Sequence, residues 1–297
     1  MIVIKKQFIK DVILNIISMV IPLLALQIIA LPIVGKKLGS EVYGEIIFLI
    51  SIFTLISFPF GNVLNNIRLL NNGENNEGEG DYNILVAYSL LLATAMLFIF
   101  KSSTDILTYL DFFLLFLIVC LTIFNEYYVV AFRINLNYRA ILLNNIFLGF
   151  GYLVGTFIFL KTSKWEYIFI FGLIFSNFYI AKNTTLYQSG FERTKKFKLI
   201  LSDSLQLYFS GLIKNLMIHA DKIMMLPLLG PTNVSVYYTA SIFSKIIAMF
   251  LNPINSVILS YLSRVEKKIK LTYYVLLTSV FGLLFYFLII SPKVILH

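Results

Sequence analysis

The chain has 297 residues, of which 59% are hydrophobic and 13% charged, and its mean hydropathy is +0.87. A soluble domain carries about a quarter charged residues, so this composition excludes an ordinary soluble fold and points to a bilayer as the solvent. The net charge of +9 would raise nucleic acid as a partner in a soluble protein. Here the basic residues lie between apolar runs, where they set membrane topology, and no nucleic-acid partner is expected.

A membrane-crossing helix needs about 20 mostly apolar residues. The first run, 12–34, follows Lys5, Lys6 and Lys10. It is too long for a signal peptide and reads as an uncleaved helix. Runs at 44–67, 82–100, 112–132, 140–160 and 167–186 follow, then 205–229, 236–259 and 271–290. The reading is an all-α polytopic membrane protein of about nine helices. Barrel strands are excluded, because they would be about ten residues long with strict alternation. The domain reading is a six-helix bundle at 1–186, a basic cytoplasmic linker at 187–204 and a partial second bundle of three helices at 205–297.

Lys and Arg split unevenly between alternate connections. With the N-terminus inside, cytoplasmic segments hold 14 and outer segments 6, which favours that orientation. The loop carrying Glu74, Glu77, Glu79 and Asp81 is rich in Gly and Asn and reads as a solvated turn. Cys120 lies in an apolar run with no partner for a disulfide or a metal. The N-x-S/T matches at Asn183 and Asn233 read as chance. No phosphate-binding Gly-rich loop is present, and the two histidines, His219 and His297, make no zinc pair. No catalytic residue, metal or cofactor is expected, and the chain does not read as an enzyme.

Ionisable groups at membrane depth are costly and face a cavity or a partner. The seventh run concentrates them: Lys214, Asn215, His219, Asp221 and Lys222. At about 100° per residue they form one broad polar face, which suits a wet cavity. The bland alternative is a structural ion pair to a neighbouring helix, with Lys222 snorkelling outward. Asn62, Asn65 and Asn66 share a face of the second run ahead of Arg68, and the eighth run adds Lys245 and Asn255. Interhelical hydrogen bonding is their structural reading. Glu126 and Asp221 are candidate ion-coupling groups. Lys214, Lys222 and Lys245 outnumber those two acids, so the cavity reads as positive and suited to an anionic ligand.

The first pair of runs and the seventh and eighth runs echo each other. LPIVGKKLGSEVYGEIIFLISIF and LPLLGPTNVSVYYTASIF share a Leu-Pro, a Gly, a Val-Tyr and a Ser-Ile-Phe. Each is followed by a proline with an asparagine close behind it, Pro59 with Asn62 and Pro253 with Asn255. This is the form of a parallel repeat, and transporters are often built from repeats.

The stretch VGKKLGSEVYGEIIFLISI, with Lys37, Leu38, Gly39, Tyr43 and Gly44, resembles the loop between the first two helices of the polysaccharide flippases. Those proteins belong to the multidrug/oligosaccharidyl-lipid/polysaccharide exporter superfamily. The stretch ADKIMMLPLLGPTNVSVYYTASIFSKI, with Asp221, Lys222, Gly230, Val236, Tyr238 and Ala240, resembles that family's turn between helices seven and eight. The resemblance implies an O-antigen or capsule flippase in a bacterial inner membrane with its N-terminus cytoplasmic. Such a protein moves a polyprenyl-diphosphate-linked oligosaccharide between leaflets by alternating access. The implied partners are that lipid-linked oligosaccharide, the bilayer and other polysaccharide-assembly membrane proteins. Lys214 and Lys245 are its implied pyrophosphate contacts. Asn215, His219, Asn62, Asn65, Asn66, Arg68 and Asn255 are expected around them. The family has two bundles of six helices, so this chain reads as C-terminally truncated. The alternatives are a cation-coupled multidrug exporter of the same superfamily and a membrane polysaccharide-biosynthesis enzyme.

Overall fold

The computed structural model describes residues 2–71, 79–104, 106–186, 188 and 190–262, with side chains except at 2–6, 243–252 and 262. The expected run at 271–290 lies outside the described residues. Among the described residues the chain is helical, with no strands. The helices are α1 (Ile2–Leu23), α2 (Leu31–Leu38), α3 (Ser40–Leu70), α4 (Glu79–Ser103) and α5 (Tyr109–Tyr128). They continue with α6 (Val130–Ile134), α7 (Tyr138–Thr162), α8 (Glu166–Asn183), α9 (Phe197–Leu229) and α10 (Pro231–Leu262).

Five helical spans are long and apolar enough to cross a membrane: Gln7–Leu38, Ser40–Leu70, Glu79–Ser103, Tyr109–Ile134 and Tyr138–Thr162. The first is continuous because a π-helical segment, Leu24–Ala30, joins α1 to α2. Pro22 and Pro32 flank it. Each proline lacks an N–H and so leaves a carbonyl one turn earlier without its helical donor, and the widened turn between them absorbs the break.

α3 is the axis of the molecule. It packs against α2, α4, α5, α6, α9 and α10, and its buried residues, from Tyr43 to Leu69, lie all round the helix. A helix apolar all round belongs in a core. The periphery shows the opposite pattern, with Leu91, Phe98, Phe113, Phe157 and Phe178 exposed. Water does not favour such an apolar outer belt, whereas lipid does.

α7 and α8 approach closely because glycines clear the contact. A Cβ on Gly151 would lie 2.5 Å from the Phe171 carbonyl oxygen, and one on Gly155 would lie 2.5 Å from that of Tyr167. This spacing of small residues four apart is the usual close-packing device of membrane helices. Polar bonds reinforce it. Asn125 donates to Ser176 at 2.5 Å, and Ser176 donates to Asn144 at 2.8 Å, linking α5, α8 and α7.

Basic residues tie the helix ends together. Lys37 donates to the carbonyls of Phe159 and Leu160 at the end of α7, where the helix dipole favours a cation. Lys164 pairs with Asp111 at 2.5 Å, and that carboxylate holds the ammonium above its ordinary pKa. Lys37 and Lys164 thus lie at the same end of the bundle, by the C-terminus of α7.

At the other end Glu79 and Asp81, expected in a solvated turn, belong to the first turn of α4, while Glu74 and Glu77 lie outside the described residues. Asp81 is fully buried and accepts from the Thr194 backbone N–H at 2.9 Å and its hydroxyl at 2.5 Å. Glu79 pairs with Arg68 at 2.9 Å. A carboxylate that caps a distant backbone N–H can be buried, and local composition cannot foresee that partner. The segment read as a linker, 187–204, is helical from Phe197 onward. The buried series Phe197, Ile200, Ser204, Tyr208 and Asn215 carries one stripe of α9 down α3 and α4.

The sequence echo has a structural counterpart. Gly39 joins α2 to α3 with φ 85° and ψ 166°, and Gly230 joins α9 to α10 with φ 79° and ψ 167°. Each glycine N–H donates to the carbonyl four residues back, at 3.0 Å. Positive φ at these corners favours glycine. The two corners also touch, since the rings of Tyr43 and Tyr238 meet edge to face with centroids 6.2 Å apart.

Candidate functional site

The densest polar cluster forms where α3, α6 and α10 meet. The helix running through α5 breaks at Val129, and α6 then carries Arg133 inward, where it is buried. Its guanidinium donates to the side-chain oxygens of Asn65 and Asn66, the latter at 3.0 Å. It also donates to the Ser260 hydroxyl at 3.3 Å and the Ser256 carbonyl at 3.4 Å, both on α10. The planar fork of Arg suits such divergent acceptors.

The asparagine face of α3 assembles as its spacing predicts. Asn66 donates to Asn62 at 3.0 Å, and Asn65 donates to the Glu126 carbonyl at 2.8 Å. The Glu126 side chain faces Asn62 and interacts electrostatically with Arg133. Close helix approach makes this possible: a Cβ on Gly61 would lie 2.5 Å from the Glu126 Cβ. Asn62, Asn65, Asn66 and Glu126 are therefore brought together. Arg133, seven residues after Glu126 in the sequence, completes the cluster.

Arg68 lies apart from this cluster. Besides its pair with Glu79, its guanidinium carbon lies 5.0 Å from the Tyr82 ring centre, a cation–π contact. It lines a cavity of about 390 Å³ at the end of the bundle.

The expected residues of α9 fall on different sides of the helix. Asn215 is buried and donates to the Thr54 carbonyl at 2.9 Å, just ahead of Pro59 in α3. Lys222 is 5% exposed, which contradicts outward snorkelling. It reaches Asp221 at 2.7 Å and the Ile218 carbonyl at 3.2 Å. The Tyr237 hydroxyl on α10 donates to the same carboxylate. Burial of Lys222 follows from these partners, which replace the water it loses. His219 is half-buried, while Lys214 is exposed beside Ile213 and Met217. Asn255 is exposed. Lys245 lies on α10, and its side chain is outside the described residues.

Asp221→Asn is expected to lower stability by about 1–2 kcal/mol, since it removes the charged partner of a buried ammonium. Adding Lys222→Met should recover most of the loss. Melting temperatures of the purified variants check both.

No metal-ligating group of three His, Cys, Asp or Glu residues occurs among the described residues. Comparison with known proteins finds no matching family model, curated protein or solved structure.

Proposed function

We propose that this chain is a multi-pass membrane transporter that flips a polyprenyl-diphosphate-linked oligosaccharide. The observation that carries the reading is the pair of matching glycine corners. Two helix–glycine–helix units with near-identical backbone angles pack on each other through Tyr43 and Tyr238. Internal repeats that meet at a central interface are the usual build of alternating-access carriers. The five apolar spans supply the membrane setting. α8, α9, α10 and the run at 271–290 complete a nine-helix reading, and the Lys/Arg split favours an N-terminus in the cytoplasm. Lys214 supports an anionic headgroup, because an exposed cation on an apolar helix face is costly without a ligand or aqueous cavity.

The cation-coupled exporter draws less support. Such a carrier needs a carboxylate open to an ion, and Asp221 is bonded to Lys222 and Tyr237. Glu126 faces Asn62 and Arg133.

The test is reconstitution in vesicles with a labelled polyprenyl-diphosphate sugar and an outer-leaflet readout. Time-dependent appearance of label is expected, slowed about tenfold by Lys214→Gln, which corresponds to about 1.4 kcal/mol. No translocation, or translocation indifferent to Lys214, overturns the reading.

A further inference from the structure

A basic segment leads into α9, and the bundle fixes its backbone. Gly80, in the first turn of α4, clears the approach: a Cβ there would lie 2.5 Å from the Glu192 nitrogen and 2.6 Å from its carbonyl oxygen. Asp81 takes both the backbone N–H and the hydroxyl of Thr194. Phe197 is buried, and the Arg193 guanidinium carbon lies 4.3 Å from the centre of its ring, a cation–π contact.

With Thr194 and Phe197 engaged by the bundle, Arg193, Lys195, Lys196 and Lys198 are exposed. Within 190–200 these four cations stand against one acid, Glu192. Two large apolar side chains bracket them in the chain: Phe191 is 74% exposed and Leu199 is 64% exposed. Water disfavours apolar groups placed this way. At a bilayer surface they enter the acyl boundary, while the lysine stems lie along it and the ammonium groups stay among the headgroups.

The depth is right for this. Lys198 precedes the apolar run at 205–229 by seven residues, about 10 Å of helix. The headgroup layer is roughly 5–7 Å thick on each side of the hydrocarbon, so a lysine's four-carbon stem reaches it. Membrane topology alone would account for the cations. It would not account for the two exposed apolar side chains beside them, nor for a backbone pinned at Glu192 and Thr194.

We propose that residues 191–199 form a binding surface for anionic glycerophospholipids. Arg193, Lys195, Lys196 and Lys198 meet the headgroup phosphates, and Phe191 and Leu199 enter the acyl boundary. The surface rests on the membrane setting and not on translocation, and Lys214 has no part in it.

Native mass spectrometry of the full chain tests it, with phosphatidylglycerol and phosphatidylcholine of identical acyl chains as competing probes. Preferential retention of phosphatidylglycerol is expected. The preference should fall about fivefold for each lysine removed, so that Lys195→Gln/Lys198→Gln loses most of it. It should persist in Lys36→Gln/Lys161→Gln, which removes two exposed lysines at the opposite end of the bundle. Phe191→Ser should weaken retention of both lipids alike. Unfolding temperatures establish that each variant is folded, and if the double variant is not, either single substitution decides. Four results each overturn the proposal: no preference for phosphatidylglycerol, indifference to Lys195 and Lys198, an equal loss in the opposite-end variant, or displacement of the lipid by inorganic phosphate. Translocation is read in a separate assay, so failure there leaves this result standing.

Discussion

Arg133→Met is expected to lower stability by about 3–5 kcal/mol, the cost of breaking a buried charged network by removing one partner. Arg133 bonds to Asn65 and Asn66 on α3 and to Ser256 and Ser260 on α10. Its loss strips charged donors from buried Asn65 and half-buried Asn66 and leaves the Glu126 carboxylate without its cation. Met keeps much of the stem volume, so packing loss contributes little. Arg133→Lys should recover less than half, because an ammonium is a point donor and cannot span the fork. Thermal unfolding in detergent measures the stability. Limited proteolysis should show α10 released first, as it is held to α3 and α6 by these bonds. An unchanged melting temperature for Arg133→Met would show that the cluster is already satisfied by water.

Gly44→Val should prevent α3 and α10 from docking. A Cβ at Gly44 would lie 1.8 Å from the Pro231 carbonyl oxygen and 2.5 Å from its carbon. Those are backbone atoms at the start of α10, so no side-chain rotation relieves the overlap. Overpacking typically costs about 1–3 kcal/mol, and an overlap with backbone belongs at or above the top of that range. Gly35→Ala is the control. Its Cβ would lie 3.3 Å from the Tyr43 ring, a contact the ring can relieve by a small shift. Size-exclusion profiles and melting temperatures are expected to separate the two, with Gly35→Ala near wild type and Gly44→Val aggregated or strongly destabilised. Equal behaviour would mean that the two glycine corners do not meet as described.

Both predictions concern contacts between α3 and α10, and the two ends of that contact were unequally legible. That two similar glycine-bearing corners exist could be read from sequence, because the surrounding Leu-Pro, Val-Tyr and Ser-Ile-Phe recur. Which glycine matches Gly230 could not. The Leu-Pro-x-x-Gly match aligns Gly35 with Gly230, whereas the backbone aligns Gly39 with Gly230. Only the need for a positive φ distinguishes them. The asparagine face was legible for a similar local reason: positions i, i+3 and i+4 share a helix side whatever surrounds it.

Asp81, expected in a solvated turn, is buried because Thr194 meets it across 113 residues of chain. Arg133 likewise meets Asn65 and Ser260 across 68 and 127 residues. Partners so distant leave no local signature. Lys222, by contrast, is held by its chain neighbour Asp221 and the Ile218 carbonyl.

By itself the sequence determined that the chain is helical, that several of its helices suit a bilayer, and where glycine and proline interrupt them. Those properties follow from hydropathy and backbone stereochemistry, which act over a few residues. The tertiary structure decided which polar groups face one another. It placed Arg133 among the asparagines, turned Lys214 outward and Asn215 inward on the same helix, and opened the cavity beside Arg68. Burial of a polar group depends on the partner that replaces its water, and only the packed helices supply that partner.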